Sequence, residues 1–98
     1  MLAKMVMITY NEAIEDEVLE ELAAAGLANY TKIPAVYGKG ASSGTHEGTD
    51  IWPGRNNLLF VACNQEQAKQ AIISIRKLRE TLGAEGVKAF VFALEDLT

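Results

Sequence analysis

The sequence predicts an α+β fold, a ferredoxin-like βαββαβ sandwich in which two helices cover one face of a four-stranded antiparallel sheet. The main observation is that the spacing of apolar residues changes twice from a strand period of two to a helical period near 3.6 and back again. Two β-α-β units with right-handed crossovers form one sheet with both helices on the same face. The chain has 98 residues, which suits one hydrophobic core. We therefore predict a single domain over residues 1–98.

The first β-α pair occupies residues 2–26. Residues 2–10 alternate, with Val6, Ile8 and Tyr10 on one face, and both faces are largely apolar, which is typical of a central strand. A helical period follows, and the acidic residues in its first turns complement the helix dipole and are expected to form a solvated face. Gly26 is placed to end this helix in a left-handed conformation.

The next two strands flank a long loop. Residues 30–37 have a strand-like composition interrupted by Pro34, which cannot donate to a β-ladder, so we expect an edge strand or a bulge there. Residues 57–63 form a continuous apolar run of strand length, as in a central strand.

The second helix is expected to begin after Asn64, because Gln67 three residues later completes a capping-box pattern. Gly83 is expected to end it, and residues 87–94 alternate as the last strand. The predicted core face of this helix consists of Ala68, Ala71, Ile72, Ile75, Leu78 and Leu82. Its basic residues near the end (Arg76, Lys77 and Arg79) suit the negative end of the helix dipole.

Composition excludes several classes of function. The formal net charge of −4 disfavours nucleic acid as a partner. No apolar run approaches the roughly 20 residues that span a bilayer, so we expect no membrane insertion. The single cysteine, Cys63, cannot form an internal disulfide, which favours a reducing, cytoplasmic location.

The loop from Tyr37 to Asn57 carries five of the eight glycines, the only His and the only Trp. Glycines leave backbone N–H groups free to face an anion, and Lys39 and Arg55 add positive charge. One hypothesis is therefore an anion or phosphate site; the alternative is a hairpin connection without a ligand. The glycines in question are Gly38, Gly40, Gly44 and Gly48.

A second hypothesis for the loop is a divalent-metal site formed by His46, Glu47 and Asp50, with further ligands from another subunit. The alternative is a solvated polar loop. General acid–base catalysis needs a base with an orienting partner in a dry pocket, and His46 is the only residue of its type. The sequence therefore favours a protein that is not an enzyme.

The predicted helices cover one sheet face only, yet the first, third and fourth strands are apolar on both faces. The second face must be covered, most simply by other copies of the chain. We therefore predict a homo-oligomer with the loop close to the subunit boundaries.

Nearly the whole chain resembles the PII signalling-protein superfamily. The order of elements matches, and the passage EDEVLEELAAAGLANYTKIPAVYGKG is similar to the family's stretch before its mobile T-loop. The turn TLGAEGVKAFVF resembles the family's nucleotide-contacting turn. The residues that match this turn are Thr81, Gly83, Gly86, Lys88 and Phe90.

This resemblance implies a cytoplasmic, trimeric regulator that binds an adenine nucleotide or another small effector between subunits. Its T-loop, residues 38–56 here, would then act on a transporter or an enzyme. The implied effector residues are Gly38, Lys39, Gly40, Arg55, Gly83, Gly86 and Lys88. Val87 separates Gly86 from Lys88 where the family has Gly before Lys, and the loop is shorter than a typical T-loop, with no Tyr between Tyr37 and Asn57. A different effector is therefore expected. CutA-like metal-binding trimers share the fold, which keeps the metal hypothesis open.

Overall fold

The computed structural model describes residues 2–40, 44–46, 55–83 and 86–98. The elements are β1 (Lys4–Asn11), a 3-10 turn (Glu12–Ile14), α1 (Glu15–Ala24), β2 (Thr31–Val36), β3 (Gly38–Gly40), β4 (Gly44–His46), β5 (Asn56–Cys63), α2 (Gln65–Leu82) and β6 (Val87–Ala93). Four strands form an antiparallel sheet in the order β2-β5-β1-β6, and β3 pairs with β4 in a separate hairpin. The predicted βαββαβ fold is confirmed, with β1 and β5 in the centre and a small hairpin within the loop.

The core lies between the sheet and the two helices. Alternate residues of the strands point toward the helices and are buried, which is the burial pattern that an amphipathic strand predicts. Cys63 belongs to this core, and burial raises the pKa of its thiol above the ordinary value. The buried apolar residues of the strands and helices include Val6, Ile8, Tyr10, Val18, Leu22, Leu59, Val61, Ala68, Ala71, Ile75 and Leu78.

The capping box at the start of α2 and the glycines that end both helices are present, as the sequence predicts. The Asn64 side chain accepts from the Gln67 N–H at 2.7 Å, and the Gln67 side chain accepts from the Asn64 N–H at 3.0 Å. Gly26 and Gly83 follow the two helices with φ of 83° and 104°. Leu82, predicted as a core position, is instead exposed, because the last turn of α2 extends past Leu78, its last buried residue.

The edge strand β2 carries the irregularity that Pro34 predicts. Ile33 lies opposite Leu58 and Val36 lies opposite Asn56, so β2 contains one more residue than β5 across this interval. Within the resulting bulge, Ala35 has φ of 58°, which side-chain-bearing residues seldom adopt. The prediction of an edge strand or a bulge is confirmed on both counts.

The sheet face away from the helices is apolar. Met7 lies opposite Phe60 on one side and Phe90 on the other, and Met5 lies opposite Phe92. Phe90 and Phe92 are 42% and 46% exposed. In the part of the chain that the structure describes, no helix or strand covers this face.

Candidate effector site

Three segments that the sequence singles out meet at one end of the sheet. The backbone N–H of Glu12 donates to the Arg55 carbonyl at 2.7 Å, and the N–H of the preceding Asn11 donates to the Gly86 carbonyl at 2.9 Å. Asn11 and Glu12 therefore hold the end of the long loop and the turn before β6 on either side of β1. Arg55 and Gly86 are 31 residues apart in sequence, yet they contact adjacent residues.

Lys88 lies at the same end, at the start of β6. It is paired with Thr9 of β1, which is paired in turn with Leu58 of β5, and the Lys88 side chain is exposed. The end of β2 lies here too, because Val36 is opposite Asn56. The backbone therefore leaves the sheet toward Gly38 at the same end, and all segments with predicted effector residues start or finish there.

The glycines of this region have different backbone roles. Gly83 combines φ of 104° with ψ of 143°, which a residue with a Cβ seldom adopts. Gly38, Lys39 and Gly40 form β3, and Gly38 and Gly40 lie opposite His46 and Gly44. Since alternate residues of an antiparallel pair hydrogen-bond to the partner strand, only part of the N–H groups in β3 is available to an anion.

A polar cluster fixes the two strands from which the loop starts and ends. One carboxylate oxygen of Glu15, Oε1, accepts from the Tyr10 hydroxyl at 2.6 Å and from Asn57 Nδ2 at 3.1 Å, and lies 2.7 Å from Lys32 Nζ. The Asn57 Oδ1 accepts from the backbone N–H of Ala35 at 3.2 Å. We call these five residues the loop-root cluster. It ties β2 and β5 to the start of α1.

The loop-root cluster combines burial with charge. The Asn57 side chain is buried, and its amide satisfies a donor and an acceptor at once. The hydrogen bond from Lys32, followed by that from Tyr10, holds the pKa of the Glu15 carboxyl below its ordinary value. Burial, followed by the bond to Glu15, raises the pKa of the Tyr10 phenol. Glu15 is therefore ionised and Tyr10 is neutral at pH 7.

The role of Glu15 differs from the expectation of a solvated acidic face. Its neighbours Asp16 and Glu17 are exposed, whereas Glu15 is half-buried and contacts three side chains. Nothing in the helical period distinguishes Glu15 from these neighbours. The available signal was the position of Tyr10 and Asn57 at the ends of two central strands, because a buried polar side chain requires a partner.

The metal hypothesis remains a prediction. His46 lies in β4, whereas Glu47 and Asp50 lie outside the described residues. Within the described ranges, no three His, Cys, Asp or Glu residues come together in a group that would hold a metal ion. Within the same ranges, neither helix combines the length and apolar character needed to cross a bilayer.

Comparison with known proteins identifies the family. The family model for nitrogen regulatory protein P-II matches residues 3–98. The chain belongs to the P-II family. No curated protein sequence matches this P-II chain.

Solved structures resemble this P-II chain over nearly its whole length. One is CPII, a nitrogen regulatory PII-like protein from Thiomonas intermedia K12, bound to ADP, AMP and bicarbonate; its TM-score is 0.78 at 21% identity, covering 96% of this chain and 87% of CPII. The apo form of CPII has a TM-score of 0.70 at 18% identity, and the match covers 96% of this chain and 90% of CPII. A putative PII-like signaling protein from Thermus thermophilus has a TM-score of 0.62 at 22% identity, and the match covers 94% of this chain and 85% of that protein. These similarities confirm the fold.

Proposed function

We propose that this P-II protein is a non-catalytic, cytoplasmic regulator that binds a small anionic effector at subunit boundaries. It signals to a partner, such as a transporter or an enzyme, through residues 38–56, which correspond to the family's T-loop. One observation carries the proposal: Arg55, Gly86 and Lys88 lie at one end of the sheet, where the loop also leaves it.

The proposed effector residues divide into backbone and charged groups. Glycine segments allow a ligand to approach backbone N–H groups closely, and the cationic side chains supply charge-assisted hydrogen bonds to an anion. The turn between α2 and β6 and the start of the loop supply both kinds of group within one region. The proposed residues are Gly38, Lys39, Gly40, Arg55, Gly83, Gly86 and Lys88.

An adenine nucleotide is the first effector to test. The CPII structures that resemble this chain are described as bound to ADP, AMP and bicarbonate, and the fold and family are shared. A nucleotide offers a phosphate for Lys88 and Arg55, and bicarbonate offers the planar charge that a guanidinium binds in a bidentate manner.

The open sheet face supports a trimer as the functional unit. Phe90 and Phe92 expose apolar surface beside Met5 and Met7, and such a patch on a regular sheet is typical of a subunit interface. Lys88 precedes Phe90 on the same strand face. A protomer packed on this face would therefore place its own residues near Lys88, which makes an intersubunit effector site.

Isothermal titration calorimetry tests the proposal. Wild-type protein is titrated with ATP, ADP, AMP and cyclic dinucleotides, with and without bicarbonate. We expect saturable heat with at least one nucleotide, weakened about tenfold in Lys88→Gln because a charge-assisted bond is lost. The control variant is Lys77→Gln, which removes the same charge from an exposed position of α2. It should bind the nucleotide with wild-type affinity. If no nucleotide gives heat, the effector of this protein is not one of these nucleotides.

A further inference from the structure

The side of β6 that faces the helices is covered at its start and open farther along. On this side Val87 is 1% exposed, whereas Val91 is 39% exposed. Val91 lies opposite Val6 of β1, which is fully buried beneath the helices, so both side chains point to the helix side of the sheet. Ile73 of α2 is 56% exposed. The helix layer therefore leaves apolar side chains of α2 and of the later part of β6 in contact with solvent.

These side chains line a groove between α2 and β6, which we call the α2–β6 groove. Its volume is about 390 Å³, within the range of ligand sites. From α2 it is lined by Lys69, Ile72, Ile73 and Arg76 among others, which lie on one face of the helix because they are three or four residues apart. Val91 forms the β6 side of the groove. The groove therefore combines an apolar interior with long cationic side chains.

The charged side chains at the α2–β6 groove are all cations. Among the described residues that line it, these are Lys4, Lys69 and Arg76. Lys4 points to the helix side, because it is two residues from Val6 on the same strand. Within the described ranges, none of the three cations lies at ion-pair distance from a carboxylate. The chain as a whole has a formal net charge of −4, so this positive charge is local and favours a partner that carries carboxylates.

The position of the groove decides between possible occupants. It lies on the helix side of the sheet, so copies of the chain that cover Phe90 and Phe92 on the other side would leave it accessible. An anionic membrane surface is flat and would be repelled by the net charge of the chain, whereas the groove is concave. A peptide segment with both carboxylates and bulky apolar side chains complements the cations and the apolar interior together.

We propose that the α2–β6 groove binds a partner protein through an acidic, apolar segment of that partner. The carboxylates of the segment pair with Lys4, Lys69 and Arg76, and its apolar side chains cover the exposed apolar residues of α2 and β6. This surface is separate from residues 38–56, to which the proposed function assigns partner binding. The protein would then contact partners through two surfaces, and only one of them is the loop.

Fluorescence anisotropy with synthetic peptides tests this inference. The probe is a fluorescein-labelled peptide with leucines at helical spacing and glutamates between them, and the control peptide has glutamine at every glutamate position. We expect wild type to bind the glutamate peptide saturably and the glutamine peptide about tenfold more weakly or less. Ile73→Glu and Lys69→Gln should each weaken the glutamate peptide about tenfold, because the first places a carboxylate among apolar contacts and the second removes a cation. Both residues are exposed, so both variants should fold normally.

The matched control for Lys69→Gln is Lys77→Gln, which removes the same charge from an exposed position of α2 outside the groove and should bind the glutamate peptide with wild-type affinity. Equal affinities of these two variants, or equal binding of the two peptides by wild type, would overturn the proposal, as would no binding at all. The same holds if Ile73→Glu lowers the mass measured by light scattering, because a second copy would then occupy the groove.

The remaining alternative is a membrane surface. If wild type binds phosphatidylserine vesicles, Lys69→Gln weakens this binding and the glutamate peptide does not bind, the groove contacts lipid and the proposal is wrong. The effector proposal is tested separately, because Ile73→Glu and Lys69→Gln should bind nucleotides with wild-type affinity while Lys88→Gln should bind the glutamate peptide with wild-type affinity. Loss of peptide binding therefore leaves the proposed function unchanged, and loss of nucleotide binding leaves the groove unchanged.

Discussion

Glu15 is the residue whose position is least expected from its neighbours. It lies among exposed acidic residues, yet a single oxygen of its carboxylate contacts Tyr10, Lys32 and Asn57. Two of these residues belong to the strands from which the loop starts and ends. A carboxylate that satisfies several donors at once holds them in a fixed relative position. Glu15 is therefore a positioning residue for the roots of the loop.

Substitution Glu15→Gln should lower the free energy of unfolding by about 1 kcal/mol at pH 7, because the charged partner of Lys32 is lost at a partly exposed site. The effect should depend on pH. The pKa of Glu15 is lower in the folded protein, so its stabilisation is complete above the unfolded value of about 4.3 and is lost as pH falls through the lower folded value. Urea unfolding between pH 7 and 2 measures both quantities.

Glu17→Gln is the matched control for Glu15→Gln. It removes the same charge from the same first turn of α1, and Glu17 is exposed. Both variants lose a similar interaction with the helix dipole, so only the difference between them reports the loop-root cluster. Equal unfolding curves for the two variants across this pH range would contradict the role given to Glu15.

Ala35, a member of the loop-root cluster, stores backbone strain. Its φ of 58° is costly for a residue with a Cβ, and its N–H is held by Asn57 Oδ1. Ala35→Gly should change stability by less than about 1 kcal/mol, because relief of strain offsets the greater freedom of glycine in the unfolded chain. Ala35→Val should destabilise by more than about 1 kcal/mol, since β-branched residues avoid this region. Thermal unfolding of both variants distinguishes these results; an equal loss in both would exclude a left-handed Ala35.

At the level of elements, the sequence predicted most of what the structure shows, for identifiable reasons. The capping box at Asn64, the glycine stops and the proline in β2 are local signals, and each is confirmed. The contacts of Glu15 were not predicted, because they join residues up to 42 positions apart. The exposure of Leu82 was also missed, because helical period does not reveal how far a sheet extends beneath a helix.

The turn between α2 and β6 contains two glycines with different constraints. Gly83 has φ of 104°, whereas a Cβ on Gly86 would meet the nearest atom, Ile14 Cδ1, at an ordinary 3.7 Å. Gly83→Ala should therefore cost about 1–3 kcal/mol of stability, and Gly86→Ala less than about 0.5 kcal/mol. Chemical denaturation of the two variants measures the difference. A Gly83→Ala protein as stable as Gly86→Ala would mean that the turn adopts another backbone conformation.

At the scale of the whole molecule, we expect the open sheet face and the proposed effector site to depend on each other. The face carries Phe90 and Phe92 on β6, whose first residues, including Lys88, lie at the end of the sheet where the effector is proposed to bind. Burial of this face in an oligomer would bring a second protomer to that end. A change to this face should then alter the oligomeric state and the effector affinity together. A change to Lys88 alone should lower the affinity and leave the oligomeric state unchanged.

Phe92→Glu places a charge on the open sheet face and should dissociate the oligomer, because an unpaired charge is strongly disfavoured in an apolar interface. Light scattering after size exclusion should give three times the 10.6 kDa chain mass for wild type and one chain mass for this variant. The control is Ile73→Glu, the same charge on an exposed apolar residue of α2, which should keep the wild-type mass. Effector affinity should fall in Phe92→Glu together with the mass, whereas Lys88→Gln should weaken the effector and leave the mass unchanged. A monomeric Phe92→Glu protein that binds the effector with wild-type affinity would place the whole site within one chain and contradict an intersubunit site.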